Sequence, residues 1–181
     1  MIAIDMDNTI NDFTVRYIQY AKEVLGLECN FNAHEYMYDL SKYFVLENSN
    51  ETSSDIKNKI FSDYNFWIKI PPKEEAQYFL QKYWCDDFRI VTYPWKFKQS
   101  VIDAKRDWIT KYFPFVKKDR ILFSEKKWTL NNIDVIIDDN PEILIKCFEK
   151  KITTIKYNYP YNVDINSTFE INDWKEMLYL I

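Results

Sequence analysis

Short apolar runs in this chain end in side chains that could handle phosphate and metal. Residues 1–4 (MIAI) lead into Asp5 and then Asp7, residues 89–91 lead into Thr92, and residues 134–137 lead into Asp138 and Asp139. If these runs are parallel strands of one sheet, their carboxyl ends converge on one crevice. Carboxylates gathered there repel one another and do not all stay ionised unless a cation neutralises them. Oxygen donors with no His or Cys among them select Mg²⁺, which takes one or two carboxylates plus water and substrate phosphate. A hydroxyl and a lysine beside such a cation make a phosphoryl-transfer site, in which the cation and the lysine stabilise the charge.

Composition narrows the alternatives. The 181 residues include one glycine, Gly26, so neither a Gly-rich dinucleotide fingerprint nor a P-loop can be written. The net charge of −4 argues against a protein that wraps duplex nucleic acid by neutralising phosphates. Cys29, Cys85 and Cys147 are scattered and His34 is the single histidine, which disfavours a zinc site or a disulfide framework. With 47% hydrophobic and 29% charged residues the chain should fold as one domain with a sizeable core. It shows neither a basic, apolar leader nor an apolar run of about 18 residues, so a cytoplasmic location and no membrane contact are expected.

These residues need positioning elements. The runs before Asp5, Thr92 and Asp138, and a fourth at 152–155, are short and β-branched, as parallel strands buried on both faces are. Between them, apolar spacing predicts helices over 12–25, 73–84, 100–113 and 141–148, the first stopped by Gly26. Alternating strands and helices imply βαβ units and an α/β sandwich. The polar stretch at 27–66 reads as short helices and a loop, placed to form a lid over the carboxyl edge, with 47–55 open to reading as a surface loop. Turns that would ordinarily use glycine fall to asparagine, with Asn8 and Asn140 as the candidates.

Asp5-Met6-Asp7-Asn8-Thr9 resembles the DxDxT first motif of haloacid dehalogenase (HAD)-like phosphatases, Thr92 their second motif, and Asp138-Asp139 their acidic fourth motif. Over nearly its full length the chain is similar to the 5′(3′)-deoxyribonucleotidase family. The likeness rests on Asp12-Phe13 after the first motif, Phe66-Trp67 ahead of Pro71-Pro72, Thr92-Tyr93-Pro94-Trp95-Lys96, the run from Lys105 to Phe113, and the block from Ile137 to Pro141. Asn8, Asn140 and Tyr93 depart from patterns seen in that group and leave the substrate open.

The resemblance implies an α/β, HAD-like (Rossmann-like) three-layer sandwich with a central parallel sheet. Its core would be residues 1–14 and 67–181, and residues 15–66 a small, mostly helical cap. Asp5 would be the nucleophile that forms an aspartyl-phosphate, and Asp7 the general acid and then base. Asp5, Asp138, Asp139 and the main-chain carbonyl of Asp7 would hold Mg²⁺. Thr92, the amides near Met6 and Tyr93, and Lys127 and Lys105 would bind phosphate, with Lys127 favoured over Lys126 as the third-motif lysine.

Base recognition would fall to aromatic side chains, Phe13 and Trp95 first, then Phe66, Trp67, Tyr36, Tyr38 and Tyr43, together with Lys96. The 18% aromatic content discounts each of these singly. The expected activity is hydrolysis of (deoxy)nucleoside 5′- or 3′-monophosphates, with a small phosphorylated substrate as partner, no stable nucleic-acid complex, and a homodimer allowed. Competing readings are a phosphatase for a sugar phosphate or a polynucleotide end, and a non-catalytic binding protein on the same scaffold. The presence of Asp5 and Asp7 counts against the last.

Overall fold

The computed structural model describes residues 1–28, 39–44 and 52–180. Its strands are β1 (Ile2–Ile4), β2 (Phe88–Thr92), β3 (Ile121–Phe123), β4 (Val135–Asp138), β5 (Thr153–Tyr157) and β6 (Phe169–Ile171). They pair in parallel, in the order β3-β2-β1-β4-β5-β6. The chain builds outward from β1 through β2 to β3, then returns past β1 to β4. This reversal makes the β1/β4 boundary a topological switch point, where a crevice opens at the carboxyl edge. Ile4 pairs with both Ile90 and Ile137, which levels the ends of the three central strands.

The helices are α1 (Phe13–Leu25), α2 (Ser53–Ser62), α3 (Tyr64–Ile68), α4 (Glu74–Tyr83), α5 (Gln99–Tyr112) and α6 (Pro141–Glu149). They cover both sheet faces. Ala3, Val91 and Ile136 pack with Ile143 and Cys147 of α6, whereas Ile4, Ile90 and Ile137 join the larger core with Ala104 and Trp108 of α5 and Leu80 of α4. The central strands β1, β2 and β4, three to five residues long, alternate faces and are largely apolar on both, as the sequence shows.

Local chemistry sets the helix ends. Gly26 closes α1 in the left-handed conformation (φ 64) and its N–H donates to Ala21. Asn140 caps α6, accepting from the N–H groups of Glu142 and Ile143, with Pro141 in the first turn. Its φ of −72 is ordinary, so of the two asparagines expected to replace glycine only Asn8 (φ 61) takes the left-handed region. The structure also adds β3 and β6 to the four expected strands. Part of the stretch 47–55 is ordered helix: Thr52 and Asp55 form a reciprocal capping box that starts α2.

The segment between β1 and α4 leaves and re-enters at adjacent points. Asn11 bridges Pro72 in antiparallel fashion, the Asp12 N–H donates to Pro71 and the Lys73 N–H to Ile10. Between these points α1, α2 and α3 share an aromatic cluster of Phe13, Tyr17, Phe61, Phe66 and Trp67. Buried indoles pin loops to the core: Trp108 donates to the Ile70 carbonyl, and Trp174 to that of Thr9. Among the described residues no helix is long and apolar enough to cross a membrane.

Candidate active site

Asp5 follows β1 directly, and its N–H donates to Ile137 on β4, extending the ladder by one residue. Asp138 closes β4 and Asp139 follows it. Oxygens of Asp5, Asp138 and Asp139 lie within 4.8 Å of one another, and all three residues are buried. Lys127, in the single turn Lys127–Thr129 after β3, donates to Asp138 Oδ2 at 2.7 Å and also pairs with Asp5. Lys126 is exposed, so Lys127 is the lysine at the acids. The other Asp138 oxygen accepts from the Asn140 N–H.

Asp7 stands apart from this cluster. One of its oxygens contacts Lys105 Nζ at 2.5 Å and the other accepts weakly from Asn11. Lys105 is fully buried on α5, donates to Thr92 Oγ1 at 2.7 Å, and lies 4.7 Å from the centre of the Trp67 ring. Thr92 and Lys105 therefore stand behind Asp7, and neither is among the described residues that line the cavity.

That cavity is about 350 Å³, within the range of small-molecule sites. Asp5, Asp7, Asp138, Asp139 and Lys127 line its polar part, and Phe13, Phe61, Trp67, Tyr93 and Trp95 its aromatic part. Leu40 and Lys57 approach from the segment between α1 and α3, and Glu125 and Glu142 add negative charge. Lys96 is elsewhere: exposed, it donates to Asn58 of α2 and lies over the Trp95 ring. Phe66 and Tyr43 are fully buried and are not on the cavity wall, while Tyr36 and Tyr38 fall outside the described residues.

The family model of the 5′ nucleotidase, deoxy (pyrimidine), cytosolic type C proteins matches residues 1–181. The chain belongs to this family. No curated protein matches the chain. Solved structures similar to this nucleotidase share its HAD fold at low identity. One is described as a HAD-hydrolase, YfnB, from Bacillus subtilis bound to magnesium (15% identity, TM-score 0.59, covering 99% of this chain and 96% of that one). Another is a HAD-superfamily hydrolase, subfamily IA, variant 1, from Geobacter sulfurreducens (11%, 0.61, 99% and 94%). A third is a hydrolase from Pseudomonas syringae (12%, 0.56, 99% and 96%). The chain is thus a phosphatase of the HAD fold.

The electrostatics fit a divalent cation. Burial pushes the Asp5 carboxyl well above the usual carboxylate range; Lys127 opposes this, and Asp138, Asp139 and Asp7 add to it. Burial and then the charge of Asp138 push Asp139 up to about 7. One buried ammonium thus faces three buried carboxylates, an excess of negative charge that an oxygen-ligated divalent cation would neutralise. The donors are all hard oxygens, with no sulfur or imidazole in the cluster.

Sequence reasoning missed Tyr161 and Asn11, both of which touch the acids. Asn11 is fully buried, accepts from the Asn8 N–H and donates to Asp7. Tyr161 lines the cavity and donates to Asp139. A signal for Tyr161 existed: residues 160–162 follow β5, whose carboxyl end must lie at the same sheet edge as those of β1 and β4.

Proposed function

We propose that this nucleotidase is a Mg²⁺-dependent, cytoplasmic phosphomonoesterase that hydrolyses (deoxy)nucleoside 5′- or 3′-monophosphates through an aspartyl-phosphate on Asp5. The observation that carries the reading is one cavity lined both by Asp5, Asp7 and Lys127 and by the aromatic rings of Phe13, Phe61, Trp67, Tyr93 and Trp95. An Asp5 carboxylate oxygen attacks phosphorus, the bond from phosphorus to the nucleoside oxygen breaks, and Asp7 gives that oxygen its proton. Asp7 then takes a proton from water, whose oxygen attacks the same phosphorus. The bond to Asp5 breaks, releasing inorganic phosphate. Lys127 neutralises charge on Asp5 and the phosphoryl oxygens, and Lys105, with Thr92, holds Asp7 in place. Asp5, Asp138, Asp139 and the Asp7 main-chain carbonyl would hold Mg²⁺, which supplies further charge neutralisation at the phosphoryl group.

The base would stack on the aromatic wall, where each good ring contact contributes about 1–3 kcal/mol, with Phe13, Trp67 and Trp95 as the candidates. Residues 15–66 would act as a cap, since Leu40, Lys57 and Phe61 reach the cavity from that segment. Release of phosphate from deoxyuridine or thymidine monophosphate, lost with EDTA and with Asp5→Asn, is the test. Equal rates on sugar phosphates would defeat the nucleotide assignment, and an active Asp5→Asn protein would defeat the mechanism.

A further inference from the structure

The connection from β5 to β6 is tied down by internal hydrogen bonds and ends on the acids. Lys156, almost fully buried, donates to the carbonyls of Asn162, Val163 and Ile165 at 3.3, 3.4 and 2.9 Å, gathering the loop around one ammonium. Asn162 is fully buried; its amide donates to the main-chain carbonyls of Asp139 (2.8 Å) and Tyr157 (2.9 Å), and its oxygen accepts from the Tyr159 N–H. The rings of Tyr159 and Tyr161 stack, with centroids 5.2 Å apart and planes 5° from parallel. The Tyr159 hydroxyl donates to the Asn8 carbonyl at 2.9 Å, and the Tyr161 hydroxyl donates to Asp139 Oδ2. The other Asp139 oxygen accepts from Thr9 at 3.2 Å.

Resting on the reading of Asp5, Asp138 and Asp139 as the cation-holding group, we propose that Tyr161 is a positioning residue that fixes the Asp139 carboxylate for the divalent cation. Two like charges adjoin Asp139, and their repulsion favours a rotamer that swings its carboxylate away from them. Asn162 holds only the main chain of Asp139, so rotation about its side chain is left to Thr9 and Tyr161. The Thr9 bond is long, whereas Tyr161 donates from a stacked ring on a braced loop. With one hydrogen bond on each oxygen, each keeps a lone pair for the cation. Partners of this kind orient metal ligands, and removing one typically costs about 10–100-fold in metal affinity.

The test compares Tyr161→Phe with Tyr159→Phe in the full chain. The first removes the hydroxyl on Asp139; the second removes a hydroxyl of the same stacked pair that donates to the Asn8 main-chain carbonyl. Mn²⁺ affinity is read by electron paramagnetic resonance without substrate, alongside the Mg²⁺ concentration giving half-maximal phosphate release from thymidine monophosphate. Tyr161→Phe should weaken Mn²⁺ binding by about 10-fold or more and raise the Mg²⁺ requirement in parallel, with Tyr159→Phe close to wild type in both. Wild-type affinity in Tyr161→Phe, equal losses in the two variants, or a wild-type protein that binds no Mn²⁺ would each overturn the proposal. A wild-type protein that binds Mn²⁺ but releases no phosphate defeats the nucleotidase reading alone, and the Mn²⁺ comparison still decides the role of Tyr161.

Discussion

The ammonium of Lys127 is held between Asp138 and Asp5, the proposed nucleophile, and all three groups are buried. Removing one partner of such a buried pair typically destabilises by about 3–5 kcal/mol, because an uncompensated charge remains. Lys127→Met should therefore lower the unfolding temperature of metal-free protein. Added Mg²⁺ should recover more stability in the variant than in wild type, since the acids then have no other cation. Turnover should fall by about 10²–10³, the usual loss when one charge-stabilising donor is removed. Thermal unfolding with and without Mg²⁺ checks the first two, and an unchanged unfolding temperature would contradict the pairing.

The raised carboxyl of Asp139 makes metal-free stability depend on pH. Its folded value of about 7 lies above the ordinary unfolded value of about 3.9, so the folded state binds more protons between them. Stability from this group is fully present below pH ~4 and is lost as pH rises through ~7, by on the order of a few kcal/mol. Chelated protein should thus unfold more easily in urea at pH 8 than at pH 5. Saturating Mg²⁺, which favours the ionised carboxylate, should flatten or reverse that slope.

The central sheet and the acids at its edge were legible because buried parallel strands are short, β-branched and continuous, and because such strands end together. The additional strands were not. Phe169 and Glu170 of β6 are exposed, and an edge strand that buries one face carries little of that pattern. β3 lies at the other edge, has one β-branched residue, and leaves Leu122 and Phe123 only half-buried, so it lacks the pattern of the central strands. Side-chain partners within the site were legible by residue type but not by direction. Lys105 and Lys96 flank the same stretch, yet one is fully buried against Asp7 and the other is spent on Asn58 at the surface. That difference is set by α5 packing against α3, a long-range relation that spacing along the chain does not encode.

Lys105 and Asp7 form the second ion pair of the site, with the lysine fully buried and the Asp7 side chain 24% exposed. Contacting charges of this kind usually couple by about 0.5–3 kcal/mol. In a cycle of Lys105→Met, Asp7→Asn and the double variant, each single change should cost stability and the double should cost less than their sum. Because Asp7 exchanges a proton in both halves of the proposed reaction, Lys105→Met should depress kcat more than it raises KM. Strict additivity in urea unfolding, or an effect on KM alone, would remove Lys105 from its positioning role.

Gly26 and Asn8 occupy the same left-handed region, at φ 64 and 61, for different reasons. A Cβ at Gly26 would meet nothing within 4 Å, so Gly26→Ala carries only the backbone penalty of about 1–2 kcal/mol. It should leave phosphatase activity intact, since that glycine only stops α1. Asn8 instead accepts from the Thr14 N–H, donates weakly to Tyr161, and gives its carbonyl to Tyr159. Asn8→Gly keeps the backbone relaxed but strands the buried Thr14 N–H, at a cost of about 1–3 kcal/mol. Asn8→Ala adds the backbone penalty to that loss and should be the least stable of the three. Unlike Gly26→Ala, both Asn8 variants should slow phosphate release, because the loop they loosen carries Asp7. Chemical denaturation ranks the three variants, and an Asn8→Ala protein as stable as Asn8→Gly would show that the left-handed turn costs alanine nothing there.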